Sequence, residues 1–103
     1  MDLSTIELDP NSTFALQTRG AVHKHLNNFP LALTDLNRAL EGNSDSPSEF
    51  IFEQRASVHQ ALGNYEMALA DLDKVLKINP NNENSGKLKN KLQRRLKLLK
   101  FIT

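Results

Sequence analysis

The chain has 103 residues, a length that accommodates one hydrophobic core rather than two. Hydrophobic residues make up 39% and charged residues 24%, which excludes wholesale disorder, and the absence of cysteine and tryptophan excludes a disulfide scaffold, a zinc ribbon and thiol catalysis together. The formal charge of +1 is a cancellation: residues 1–86 carry six bases against all twelve acids, whereas residues 87–103 contain Lys87, Lys89, Lys91, Arg94, Arg95, Lys97 and Lys100 and no acid. No apolar run approaches the roughly 18 residues of a membrane span, and Met1-Asp2-Leu3 lacks the basic-then-apolar order of a secretion signal. The expectation is a cytoplasmic protein, with the nucleus as the alternative.

In chain order, a short helix is predicted near 2–8, then helices near 12–26, 29–41, 47–62, 65–78 and 83–101. Asn27-Asn28 and Gly63-Asn64 are turn pairs between helices, with asparagine able to cap the next helix and Pro30 tolerated in a first turn. Gly42 and Asn79-Pro80 end helices, and Ser46-Pro47-Ser48-Glu49 reads as a capping box with proline at the first helical position. Phe29, Ala32, Leu33, Leu36 and Leu40 make one apolar helical stripe, and Tyr65, Ala68, Leu69, Leu72 and Leu76 make the same stripe again.

That recurrence is general. Shifting the sequence by 36 positions lays Gln17–Glu41 on Glu53–Lys77, with identities that include Arg19/Arg55, Val22/Val58, His23/His59, Asn28/Asn64, Ala32/Ala68, Asp35/Asp71 and Leu36/Leu72. Gly20 and Ala56 are small at the same place on the stripe of the first helix, which lets two helix axes approach closely in a hairpin.

The two units resemble the tetratricopeptide repeat family. Phe52-x2-Arg55-Ala56-x2-His59, Ala68-x3-Leu72, Val75 and Pro80 match the family spacing, as do Leu16-x2-Arg19-Gly20-x2-His23, Ala32-x3-Leu36 and Ala39 in the first unit, which lacks the closing proline. Ile6-Glu7-Leu8-Asp9-Pro10 looks like the end of a preceding unit, which leaves open whether the chain is a piece of a longer array. The resemblance implies an all-α fold of tandem helical hairpins in a right-handed solenoid: 1–12 as the tail of a preceding repeat, 13–46 and 49–82 as full repeats, and 83–103 as a basic capping helix. Leu88, Leu92, Leu96 and Leu99 form the stripe by which that cap would dock.

No nucleophile, base or metal cluster converges, so no enzyme, cofactor or metal is expected. His23 and His59 stand where the family has tyrosine and are expected to pack inside their hairpins, metal binding being the alternative. His25 falls on another helix face. Arg19 with Asp35 and Arg55 with Asp71 suggest a repeated ion pair, against the reading of exposed, independent charges.

The resemblance also implies a concave groove lined by first helices. Its stripe here is Phe14, Gln17, Ala21 and Lys24, then Phe50, Glu53, Ser57 and Gln60, which would take a peptide or helix of a partner protein. Family members that clamp a chaperone's C-terminal carboxylate use lysine, asparagine and arginine on this stripe, so no clamp is expected. The alternative is a structural segment that stacks or self-associates and binds no peptide. For the basic helix, with Lys87, Lys91, Arg94, Arg95 and Lys97 as candidates, three readings are open: a solvated cap, a surface for an acidic partner including a second copy, or one for nucleic acid or an anionic membrane. Nucleic acid is disfavoured because Phe101 stands alone, without interleaved aromatics.

Overall fold

The computed structural model describes residues 12–42 and 48–102. Five helices succeed one another there: α1 (Thr13–His25), α2 (Phe29–Gly42), α3 (Glu49–Ala61), α4 (Tyr65–Ile78) and α5 (Glu83–Ile102), with no strand among the described residues. α1 packs on α2 and α3 on α4 as two hairpins, α3 lies against α2, and α5 lies against α4. The fold is all-α, in tandem helical hairpins. The short helix predicted near 2–8 lies outside the described residues, as do Ser44, Ser46 and Pro47.

The two hairpin turns have one geometry. Asn27 and Gly63 both sit in the left-handed region, at φ +63° and +80°, a conformation that asparagine and glycine tolerate. The Asn27 and Gly63 N–H groups donate to the Lys24 and Gln60 carbonyls at 3.0 Å, and Asn28 and Asn64 donate to the His23 and His59 carbonyls at 2.8 Å. Each first helix thus ends in a Schellman motif that satisfies its last carbonyls. Asn64 does not cap α4 with its side chain, contrary to the expectation from sequence; its amide instead reaches His59 Nδ1 at 3.5 Å.

The start of α3 also differs from the reading of the sequence. Ser48 is the N-cap, its Oγ accepting from the Ile51 N–H at 3.4 Å, and Glu49 is the first helical residue, so proline does not hold that position. Glu49 is engaged elsewhere: its Oε1 accepts from Asn79 Nδ2 at 3.0 Å and Asn82 Nδ2 at 2.8 Å, tying the head of α3 to the turn that leads into α5. That turn has its own logic. Asn79 is extended because a proline comes next, and Asn82 Oδ1 caps α5 by accepting from the Ser85 N–H.

Leu16, Ala32, Leu36, Ala39, Ile51 and Val58 form a buried cluster that joins the first hairpin to α3. Ala56, Ala68, Leu72 and Leu92 form the second, joining the second hairpin to α5. A Cβ built on Gly20 would stand 2.9 Å from Leu36 Cγ, closer than side chains pack, so the missing side chain is what admits Leu36. Leu92 occupies against α4 the place that Val58 occupies against α2, and Ser85 likewise repeats Ile51; all four are buried. α5 therefore docks in the register of a third first-helix. Its positions equivalent to Leu16, Gly20 and His23, where a partner helix would pack, are Gly86, Asn90 and Gln93, and polar Asn90 and Gln93 are exposed. The predicted docking stripe is buried to different degrees: Leu92 is buried, Leu88 and Leu96 are half-buried, and Leu99 is exposed in a hollow beside Tyr65, Glu66 and Met67 at the start of α4.

Both ion pairs expected from the repeat are present and bidentate. Arg19 Nε and Nη2 donate to Asp35 Oδ2 and Oδ1 at 2.8 Å each, which raises the Arg19 pKa. Arg55 Nε and Nη2 donate to Asp71 Oδ2 and Oδ1 at 2.8 and 2.7 Å. The two sites are not equally dry. Side-chain exposures are 19% for Arg55 and 2% for Asp71, against 36% for Arg19 and 5% for Asp35. Arg55 also donates to Asn37 Oδ1 of the preceding hairpin at 3.0 Å, and with Lys74 it flanks the Phe52 ring.

Removing a carboxylate strands the arginine, so the drier site should suffer more. Asp71→Ala is expected to lower the unfolding free energy by roughly 3 kcal/mol and Asp35→Ala by about half of that. Urea titrations of the two variants check this, and equal losses would contradict the dependence on burial. A second expectation concerns His59, which is buried between the helices of its hairpin. Burial holds its imidazole below the ordinary pKa, Asp71 pulls upward, and Arg55 adds to the lowering. The unfolded chain therefore takes up the proton first as pH falls. The stabilising share is complete above the unfolded value of about 6.5 and is lost as pH drops through the lower native value. His59→Tyr should flatten the loss of stability between about pH 7 and pH 5 relative to the parent chain. A pH profile of unfolding superposable on the parent's would show that His59 carries none of it.

Candidate ligand groove

The first helices of the two hairpins lie side by side and present the stripe read from the sequence along one face. Its apolar members, Phe14 and Phe50, are exposed although they stand next to the buried Ala15 and Ile51 on the same helices. Gln17, Ala21 and Lys24 on α1, and Glu53, Ser57 and Gln60 on α3, are all half-buried. Local chemistry fixes this orientation. Ser12 Oγ caps α1 by accepting from the Ala15 N–H, and the hairpin pairs hold Arg19 and Arg55 against the second helices, leaving the opposite side of α1 and α3 free.

The register of α5 adds a third wall that the stripe expected from sequence does not include. Stepping 34 residues on from Phe50, Glu53, Ser57 and Gln60 gives Asn84, Lys87, Lys91 and Arg94. Asn84, Ser85 and Leu88 line one hollow with Glu53, Gln54 and Ser57, so α5 borders the candidate stripe of α3. Lys87, Lys91 and Arg94, which the sequence groups with the other bases of the closing helix, belong by this repeat spacing to the groove wall. The other two basic candidates go elsewhere. Arg95 lies over the Tyr65 ring at 5.3 Å, and Lys97 lines a hollow along α5 with Asn90, Gln93, Arg94 and Lys100, so Arg94 borders that side as well.

The wall is electrostatically graded. Lys24 stands on α1, Glu53 on α3, and three exposed bases on α5. Lys89, outside the stripe, pairs with Asp73 of α4 at 2.8 Å and helps pin α5 to the body. No group of three or more histidine, aspartate or glutamate side chains that could hold a metal occurs among the described residues. His25 is exposed while His23 is half-buried beside Asp35, so the two do not converge. None of the described helices is long and apolar enough to cross a membrane.

Residues 51–82 match the tetratricopeptide repeat family. No curated protein matches the sequence. Solved structures do. The first such domain of Spaghetti (RPAP3), bound to the HSP90 peptide SRMEEVD, is similar with a TM-score of 0.80 and 25% identity over 88% of this chain and 71% of that one. The first domain of human RPAP3, determined by NMR, gives 0.79 and 25% over 88% and 70%. The Arabidopsis OM64 domain gives 0.78 at 21% identity over 86% and 72%, a likeness of fold. The helical hairpins, their shared turn and core geometry, and the family match in the second of them agree: residues 51–82 are a tetratricopeptide repeat, and the chain has the fold of tetratricopeptide repeat domains.

Proposed function

We propose that the chain is a protein-interaction module that holds a peptide or helix of a partner in the groove formed by α1, α3 and α5. The observation that carries this reading is the pair Phe14 and Phe50, exposed at equivalent places beside a polar, half-buried floor. Two aromatic anchors with flanking hydrogen-bonding groups make an apolar grip with orientation, the pattern of interface hot spots. The likeness to a domain solved with an HSP90 peptide supports a peptide as the ligand.

The bases of the groove stand mainly on α5, while Gln17, Ala21, Glu53 and Ser57 occupy the middle. An acidic stretch of ligand would be drawn to the α5 wall, and a terminal carboxylate meets no lysine or asparagine at these middle positions. A second reading is favoured by Val22, which is 48% exposed although its equivalents Val58 and Leu92 are buried. That face of α1 is a stacking surface, so the chain would serve as a structural segment of an array, with or without self-association.

The two readings separate experimentally. Peptides selected from a displayed random library should bind the parent chain, and Phe14→Ala/Phe50→Ala should weaken them by about thirtyfold or more with helicity unchanged. Amidating the peptide C-terminus should change affinity little. Unfolding of the double variant, or dissociation of an oligomer with no peptide selected, supports the structural role instead.

A further inference from the structure

The hollow between α3 and α5 is lined by chemistry that the rest of the groove does not share. It holds about 100 Å³, room for the end of one side chain. Glu53, Gln54 and Ser57 of α3 bring a carboxylate, an amide carbonyl and a hydroxyl to it, all of them able to accept hydrogen bonds. Buried Leu72 and half-buried Leu88 add apolar surface to the lining.

These acceptors lack donors. Gln54 Oε1 is buried and has no hydrogen-bond partner among the described residues, a costly state for a carbonyl out of water. Glu53 is half-buried, and neither it nor Ser57 makes a side-chain hydrogen bond or ion pair among the described residues. Glu49, one turn earlier on α3, is held by the neutral amides of Asn79 and Asn82, so two carboxylates that repel each other stand on one helix face.

α5 does not supply what is missing. Lys87, Lys91 and Arg94 are exposed and none of them lines the hollow; Glu83 precedes Lys87 by one turn, the order in which opposite charges on a helix attract. Nor does the start of α5 invite an anion. Asn82 Oδ1 takes the Ser85 N–H, and Glu83 occupies the first turn.

We infer that this hollow is the subsite that reads a lysine of the bound peptide. An ammonium group has three donors and no acceptor, which matches Glu53, Gln54 Oε1 and Ser57, while the methylene stem lies along Leu72 and Leu88. A guanidinium carries five donors in a rigid plane and would leave some unpaired there, and an acidic residue would meet Glu53. The inference rests on the groove proposed above and gives it polarity: lysine in the hollow, acidic residues toward Lys91 and Arg94, apolar residues on Phe14 and Phe50.

Peptides are selected from a displayed random library against the full chain, and the tightest is synthesised. A lysine should recur at a constant spacing from the apolar residues. Replacing it with norleucine, which keeps the stem and deletes the ammonium, should weaken binding about tenfold or more. Glu53→Gln should weaken the lysine peptide by a similar factor and the norleucine peptide little, the coupling that partners in contact show. Ser57→Ala should have a smaller effect of the same kind, with circular dichroism unchanged in both variants. Peptides that need Phe14 and Phe50 yet carry no recurrent lysine, or bind as well with norleucine, arginine or glutamate in its place, would overturn the lysine subsite and leave the groove standing. So would equal weakening of the lysine and norleucine peptides by Glu53→Gln. Selection of no peptide at all would remove the groove and the subsite together.

Discussion

Everything in this fold is arranged around a carboxylate that has been taken out of water. Asp35 and Asp71 sit on second helices with almost no exposed side chain, and each is answered by both nitrogen branches of one arginine from the first helix. A bidentate pair admits one axial offset between two helices, whereas apolar surfaces alone tolerate sliding. The small residue next to each arginine, Gly20 or Ala56, allows the approach at which the reach across is short. Once that offset is set, the turn is determined, and so is the face of α1 and α3 that remains for a ligand.

The same offset explains why α5 belongs to the repeat without repeating it. Its Ser85 and Leu92 are read by the second hairpin as Ile51 and Val58 are read by the first, so it docks as a first helix would. The side that would receive a second helix carries the exposed polar residues Asn90 and Gln93. The charge division between body and tail also acquires a structural meaning. Lys89 with Asp73 and Arg95 with Tyr65 commit two of the bases to holding α5 in place, while the others divide between the groove wall and the outer surface.

Most of the architecture is legible in the sequence because it rests on pairwise periodicity: the arginine and aspartate recur sixteen residues apart in both units, and each pair forms. The turns are legible as residue types, since asparagine and glycine tolerate a left-handed backbone, but the fate of the Asn64 side chain is not. It depends on His59 being buried within reach, a tertiary fact. Glu49 misleads for a similar reason. Local sequence offers it a place in a capping box, whereas Asn79 and Asn82, distant in the chain, offer two hydrogen bonds. For the groove, spacing alone gives the stripes of α1 and α3. The third wall is hidden because Gly86, Asn90 and Gln93 break the apolar pattern that announces a repeat, even though Ser85 and Leu92 keep the stacking positions.

The bond from Arg55 to Asn37 gives the array its grammar of cooperation. One guanidinium closes its own hairpin through Asp71 and touches the neighbouring one through Asn37. In a linear stack, stability is the sum of unit terms and nearest-neighbour terms. Here one side chain contributes to both at once. The opening of the second hairpin would therefore remove part of what holds the first, and the two would tend to melt as one cooperative unit despite being built as separate copies.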